Sequence, residues 1–300
     1  MYSPKKYDLL IKHLRRYSVL GTAHYSCVPP NSPANETDVK TFKDFIEKSK
    51  KLLVITGAGV STESGLPDYN TKGVKFYAGL PYGPVKHQDF IDHEKTRREF
   101  WAYHFLAWPT FSSLLPNRTH KILSEWERKG KLHWLVTQNV DALHAKAGSK
   151  RLTELHGRFC SVECLDCKNV ISRREFQELI KEENTDISEK YVKLNQEQIN
   201  GFKVPSCKNK KCGGVLKPDI VFYGDYVPKD RVEFVSNKLT ESDSLLVLGS
   251  SLEVPSAYRF VEAAYKQEKP IGIVNIGPTK ADKLANIKIS TKCSEILDKI

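Results

Sequence analysis

No apolar run in this 300-residue chain approaches the roughly 18 residues that a membrane-crossing helix needs, so no membrane-embedded segment is expected. A sustained Lys/Arg block with interleaved aromatics is also missing. The formal net charge of +11 permits nucleic-acid binding, but its basic residues are spread as on a solvated surface, and no nucleic-acid partner is expected. Cysteine occurs at an odd count, seven, which argues against an extracellular disulfide scaffold. There are no internal repeats and no low-complexity segments. What is present, 40% hydrophobic residues, supplies one large or two modest globular domains with a core.

Part of the charge excess lies at the start. Residues 1–30 carry Lys5, Lys6, Lys12, Arg15 and Arg16 against the single acid Asp8, with Leu9, Leu10, Leu14 and Leu20 able to form one helical face. That composition suits a mitochondrial transit peptide, with a solvated surface arm as the alternative. Residues 1–37 are therefore read as an N-terminal arm of presequence type, which places the mature protein in the mitochondrial matrix.

After the Pro/Asn/Ser-rich stretch 29–36, Val39, Phe42, Phe45 and Ile46 predict a helix over 38–49. Nearly continuous apolar runs follow at 52–56, 132–137, 220–223, 244–249 and 271–276, as strands buried on both faces require. Helical spacing fills 119–129, 229–239 and 254–268, with Gly130 placed to end the first and Pro255 to start the last. The alternation indicates an α/β fold, a parallel sheet with helices on both faces. Two long intervals interrupt it. Residues 70–118 are aromatic-rich with a helix expected over 95–107, and 158–217 hold five of the seven cysteines. Both read as insertions that pack into a smaller module.

Cys164-Leu-Asp-Cys167 and Cys207-Lys-Asn-Lys-Lys-Cys212 are two short-spaced pairs whose thiolates can converge tetrahedrally on a structural zinc ion. Two disulfides, or buried cysteines packing as small hydrophobes, are the alternatives. Cys160 lies near enough to compete as a ligand, while Cys27 and Cys293 are isolated in sequence.

Three stretches carry the chemistry. Residues 56–70, TGAGVSTESGLPDYN, directly follow the first strand-like run and can offer backbone N–H groups to a phosphate. Gly57 and Gly59 fit a dinucleotide fingerprint, but the next glycine is Gly65. TQNVD (137–141) sits at the C-terminal end of a strand, where α/β sheets bind ligands; Asn139 and Asp141 can equally cap a helix starting near Val140. His156, in ELHG, is a candidate general base, against the bland alternative of a surface or satisfied core histidine.

Taken in order, GAGVSTESGLPDY, TQNVD, ELHG, the two cysteine pairs, KPDIVFYGD (217–225), GSSLEV (249–254) and VNIG (274–277) resemble the sirtuin family of NAD-dependent protein deacylases, over about 38–300. WLVTQNVDALHAKAGSKRLTELHG resembles the class II mitochondrial, sirtuin-four type. The resemblance implies a Rossmann-like NAD-binding domain over 38–157 and 218–300, with 158–217 as zinc-binding small domain and 70–118 partly joining it. Matching positions imply cofactor contacts at Gly57, Ala58, Gly59, Ser61, Pro67, Asp68, Tyr69, Gln138, Asn139, Asp141, Gly249, Ser250, Ser251, Asn275, Gly277 and Cys293. His156, with Asn139 and Asp141, matches the catalytic group. The implied reaction passes the acyl group of an acylated lysine to ADP-ribose and releases nicotinamide. An acylated peptide or protein is the implied partner, adding as a strand beside Val221, Phe222 and Gly224 and beside Glu253 and Val254. Desuccinylating relatives carry Tyr-x-x-Arg; Trp101-Ala-Tyr-His104 lacks that arginine, so desuccinylation is not expected. Long or branched acyl groups, lipoyl-lysine, or ADP-ribosyl transfer to protein are implied instead, by a monomer.

Three rival readings were weighed. A nicotinamide oxidoreductase needs a second strand ending in Asp or Glu about 20 residues after the glycine loop, and PDYNTKGVKFYAGLPYG supplies none. A zinc-ribbon nucleic-acid binder leaves the glycine loop, TQNVD and His156 unexplained. An NAD-binding scaffold with weak turnover is favoured by Asn70, which stands where sirtuins usually place an arginine against the cofactor. Losing that charge-assisted contact costs about 1–3 kcal/mol, and Lys72 or Lys75 would not copy the arginine's fork. Asn70→Arg should therefore tighten NAD binding or raise turnover by roughly tenfold or more. Calorimetric titration with NAD and steady-state kinetics read the two separately, and no change in either would show that the loop already compensates.

Overall fold

The computed structural model describes residues 27–68, 84–191 and 193–300; the N-terminal presequence reading of 1–26, Tyr69 and Asn70 fall outside them. The described chain forms two compact units, one of 27–68, 115–156 and Val227–Ile300, the other of 84–114 and Gly157–Tyr226. In chain order the strands are β1 (Leu52–Thr56), β2 (Leu132–Thr137), β3 (Leu152–Glu154), β4 (Gly157–Cys164), β5 (Val170–Ser172), β6 (Leu216–Ile220), β7 (Ser244–Leu248), β8 (Ile271–Val274) and β9 (Ile287–Ile289). Among the described residues no helix is long and apolar enough to cross a membrane.

The larger unit is a six-stranded sheet in the order β3-β2-β1-β7-β8-β9, with every pairing parallel. Strand β1 shows why the apolar runs are continuous. Leu52 and Val54 pack on one face with Phe42, Phe45 and Ile46 of the helix Glu36–Lys48 and with Ile122, Leu123 and Trp126 of Arg118–Arg128. Leu53 and Ile55 pack on the other with Val235 and Leu239 of Lys229–Glu241 and with Phe260 and Val261 of Pro255–Lys266. Both faces are covered, so Leu52 to Ile55 are apolar without a break, and the one polar residue, Thr56 at the end, is satisfied by His144 Nε2 at 2.9 Å. The helix ends follow local chemistry. Asn35 and Asp38 form a capping box, Gly130 takes φ +74° past the end of 118–128, and Pro255 opens the last long helix.

The chain builds outward from β1 through β2 to β3, returns to β7 on the other side, and builds outward again. The order therefore reverses between β1 and β7, the place where open α/β sheets leave a crevice beyond their carboxyl ends.

The smaller unit has an antiparallel sheet, β5-β4-β6, and the helices Glu94–Ser113 and Arg173–Glu183. Its core is aromatic: Trp101 meets Phe176 at 4.5 Å, and Phe100 meets Phe90 at 5.4 Å, edge to face. The apolar run 220–223 is not a strand of the parallel sheet, as its pattern predicted. The strand is displaced to Leu216–Ile220 and pairs antiparallel with β4, Leu216 opposite Cys164. Phe222 is instead buried against Phe90 and Phe100, and Tyr223 is half exposed. A short apolar run cannot by itself distinguish a buried strand from a loop with two anchors.

The cysteines sit at one end of β4 and β6. Cys164 Sγ lies 3.7 Å from Cys212 Sγ, Cys167 Sγ lies 3.7 Å from Cys207 Sγ, and all four fall within 4.8 Å of one another. A tetrahedron with zinc–sulfur bonds of about 2.3 Å has edges of about 3.8 Å, whereas a disulfide needs about 2.05 Å. The donor set therefore fits zinc and excludes the two-disulfide alternative; Cys160 is not in the group. The turn is built for these sulfurs. A Cβ on Gly214 would lie 2.7 Å from Cys164 Sγ, and the Asn169 N–H, with the Asn209 amide, pulls the Cys167 thiol down to about 6.

Metal analysis should find about one zinc per chain, and chelation should melt the β4–β6 end of the smaller unit. A metal-free protein with unchanged circular dichroism and melting temperature would contradict this. A second outcome concerns the larger unit, where His120 and His144 are buried with rings 4.6 Å apart. Burial pushes His120 down to about 3 and His144 well below its ordinary value. The unfolded chain, with histidines near 6.5, takes up protons that the folded chain refuses. Stability from these groups is thus complete above about pH 6.5 and is lost as the pH falls below it. Calorimetry in buffers of different ionisation enthalpy should detect proton uptake on unfolding at pH 5.5.

Candidate functional site

Strand register brings the site together. Thr56 of β1 is level with Thr137 of β2 and Leu248 of β7, Thr137 with Glu154 of β3, and Leu248 with Val274 of β8. Gly57, Gln138, Leu155-His156, Gly249 and Asn275 consequently leave the sheet along one edge.

At the reversal point two backbones touch. The Gly57 N–H donates to Leu248 O at 3.1 Å, and the Gly59 N–H to Gly249 O at 2.8 Å. A Cβ on Gly57 would stand 2.7 Å from Ser250 Cβ, and one on Gly59 only 2.8 Å from Gly249 O. Gly249 itself has φ +57°, and a Cβ there would meet Val60 N at 2.6 Å. These glycines exist because the loops cross without room for side chains. Residues Ala58–Ser64 then wind into a short 3-10 helix. Gly65 takes the left-handed φ of 91° that ends this helix, its N–H bonded to Thr62 O. The unusual glycine spacing thus has a local structural cause.

Polar side chains close over this loop. Asn139 Nδ2 donates to Gly57 O at 3.0 Å and to Ser61 Oγ at 3.1 Å, and the Ser61 hydroxyl donates to Asp141 Oδ2 at 2.7 Å. Asp141 Oδ1 accepts the Leu143 N–H at 2.9 Å, so it caps the following turn, as the alternative reading of this residue expected. Burial pushes the Asp141 carboxyl up, opposed by the Leu143 and Ser61 hydrogen bonds. Gln138 Nε2 donates to Ser250 Oγ at 2.8 Å, tying the β2 end to the β7 loop.

His156 follows β3. Its Nδ1 lies 2.9 Å from Gln138 O, and a carbonyl only accepts, so the proton sits on Nδ1. Nε2 is left as the lone-pair nitrogen, 2.8 Å from Ser256 Oγ. Burial lowers the imidazole below its ordinary value, partly countered by the Gln138 carbonyl and assisted by Arg231. The ring is therefore neutral near pH 7, with a single free acceptor.

Ala58, Pro67 and Asp68 lie on the same loop as Gly57. The Ser251 carbonyl accepts the Lys280 N–H at 2.9 Å, and Asn275 Nδ2 donates to Gly277 O at 2.9 Å. Cys293 is buried at the start of Cys293–Leu297, its thiol 3.8 Å from Val274 O and pushed up to about 12 by burial. It packs in the core beside Val274 as a small buried hydrophobe. Glu253 and Val254 are exposed in the segment before Pro255. In the smaller unit, Val221, Phe222 and Gly224 lie in the loop after β6. The Tyr223 carbonyl there accepts the His87 N–H at 2.8 Å, and Asp225 stands 3.1 Å from His87 Nδ1 and 3.9 Å from Lys217 Nζ. Sequence reasoning missed Ser256 and the His144–Thr56 contact of 2.9 Å. A lone serine after Pro255 carries no signal of its own.

The Sir2 family model matches residues 57–256. The chain is 50% identical over 278 residues to the NAD-dependent protein lipoamidase sirtuin-4, mitochondrial, of Bos taurus, covering 90% of this chain and 88% of that protein. It is 44% identical to the NAD-dependent protein deacylase Sirt4 of Drosophila melanogaster, over 93% and 91% of the two chains. A solved structure described as a structural basis for the mechanism and regulation of Sir2 enzymes matches at a TM-score of 0.71 and 30% identity, covering 88% and 96%. Another, of Sir2 with p53 peptide and NAD+, matches at 0.69 and 27%, covering 87% and 96%. With its glycine crossing at the sheet reversal, its polar closure and its oriented histidine, the chain belongs to the Sir2 family.

Proposed function

We propose that this protein is an NAD-dependent protein-lysine deacylase of the sirtuin-4 kind, acting on lipoyl, long or branched acyl groups. The observation that carries the reading is the neutral His156, oriented through Nδ1–H on Gln138 O and left with its lone pair at Nε2. Relatives named lipoamidase and deacylase at 50% and 44% identity support it.

NAD supplies a ribose carbon from which nicotinamide can leave and to which an acyl-lysine carbonyl oxygen can attach. Gly57, Gly59 and Gly249 let the two loops cross at the sheet reversal, and a crevice beyond the carboxyl ends of the strands at such a reversal is where open α/β sheets take a dinucleotide. Ala58, Ser61, Pro67 and Asp68 follow on the Gly57 segment, Tyr69, outside the described residues, is assigned to the cofactor from sequence, and Gln138, Asn139 and Asp141 orient the nicotinamide ribose. Ser250, Ser251, Asn275, Gly277 and Cys293 serve the adenosine side. His156 Nε2 accepts the proton of a ribose hydroxyl, so that the hydroxyl oxygen can take up the acyl carbon. Val221, Phe222, Gly224, Glu253 and Val254 are the positions assigned, by resemblance, to backbone pairing with an acylated peptide. The zinc of Cys164, Cys167, Cys207 and Cys212 is structural, because four thiolates leave no open position.

A mitochondrial matrix location is supported by the basic 1–30 segment and by relatives named mitochondrial. The protein is read as a monomer without a nucleic-acid partner, able also to transfer ADP-ribose to protein. A second reading, an NAD-binding regulator with weak turnover, is favoured by Asn70 alone.

Mass spectrometry of reactions with NAD and a panel of acyl-lysine peptides should show lipoyl or branched acyls leaving as O-acyl-ADP-ribose. Free nicotinamide without acyl transfer, or no product from any peptide, would overturn the reading. His156→Tyr should retain NAD binding and lose about 10²–10⁴-fold in kcat. Because the lone pair at Nε2 is needed and burial lowers this imidazole, kcat/KM should hold down to below about pH 6.5 and fall on further acidification.

A further inference from the structure

Ser256 lies in none of the segments assigned so far to cofactor or peptide, yet its Oγ is the atom seated on the lone-pair nitrogen of His156. The direction of that hydrogen bond is fixed. Nδ1 already donates its proton to Gln138 O, so a neutral ring has only an acceptor at Nε2, and the serine hydroxyl must donate to it. The hydroxyl is free to do so. Ser256 is the second residue of the helix Pro255–Lys266, whose start makes no side-chain cap hydrogen bond. Pro255, with its fixed φ and no N–H to satisfy, sets the direction in which the chain enters the helix. Gln138 O holds one side of the ring and Ser256 the other.

We infer that Ser256 is a positioning residue that occupies the base nitrogen of His156 in the resting protein, and that a substrate hydroxyl must displace it before proton transfer. The inference rests on the reading of His156 as the base. It has two consequences. A donor held on Nε2 stabilises the neutral ring and so makes the base weaker than Gln138 alone would leave it. The same donor competes with the substrate hydroxyl for one lone pair, so its removal should lower KM more than it changes kcat. The charged group acting on the ring is Arg231, from the helix Lys229–Glu241, which also favours the neutral form; its Nη1 donates to Leu155 O at 3.2 Å. Gln138 and Ser256 are the neutral partners.

The test follows His156 by NMR titration in the protein without NAD, and by the acid limb of kcat/KM, in Ser256→Ala and Ser256→Thr. In Ser256→Ala the titration and the acid limb should both move up by about half to one pH unit, and KM should fall several-fold. Ser256→Thr, which keeps the hydroxyl, should restore both toward the parent values. An unmoved titration in Ser256→Ala overturns the inference; so does a shift that Ser256→Thr fails to restore, which would mark a packing effect. Failure of the underlying reading looks different. It would appear as turnover that survives His156→Tyr, whatever the titration of Ser256→Ala shows.

Discussion

The contact between two backbones at the sheet reversal is the constraint on which the rest of the site depends. Gly59 N–H meets Gly249 O at 2.8 Å, and no side chain fits on either loop at the crossing. Parallel pairing of β1 with β7 forces the two loops to leave the sheet level with each other. Once they do, glycine is required where they cross, and the crevice at this reversal lies where open α/β sheets take a dinucleotide.

The histidine is tied to the same crossing by a short relay of hydrogen bonds. Thr56 O, just before the glycine loop, accepts the Gln138 N–H at 2.9 Å; Gln138 O then accepts His156 Nδ1 at 2.9 Å. The Gln138 side chain reaches the other way, to Ser250 Oγ. One glutamine thereby joins the ends of β1, β2 and β7 to the base. Burial of His156 keeps its imidazole neutral, and the Gln138 backbone carbonyl chooses the tautomer. The zinc knuckle stands apart from this chemistry. It stiffens a small unit whose aromatic core would otherwise have to hold a three-stranded sheet alone.

Much of this was legible in the sequence, for identifiable reasons. Strands covered on both faces leave continuous apolar runs, so 52–56 and 132–137 could be bounded from sequence. Gly130 and Pro255 punctuate helices because φ and the missing N–H act locally. Two cysteine pairs at short spacing carry their own geometry. The run 220–223 misled because Phe222 is buried by ring contacts that sequence does not record. Gly65 did not fit the dinucleotide fingerprint, and its left-handed φ instead ends a 3-10 helix. Ser256 was invisible, since its meaning lies wholly in a partner 100 residues away.

The most direct test of the glycine crossing is NAD affinity in Gly59→Ala, measured by calorimetric titration with zinc content and melting temperature followed in parallel. The added methyl must push the β1 and β7 loops apart, since its nearest neighbours are the backbone O and Cα of Gly249 at 2.8 and 2.9 Å. The account predicts at least a tenfold loss of NAD affinity, about 1.4 kcal/mol, in a protein that still holds its zinc and its fold. Unchanged affinity in the folded variant would contradict it.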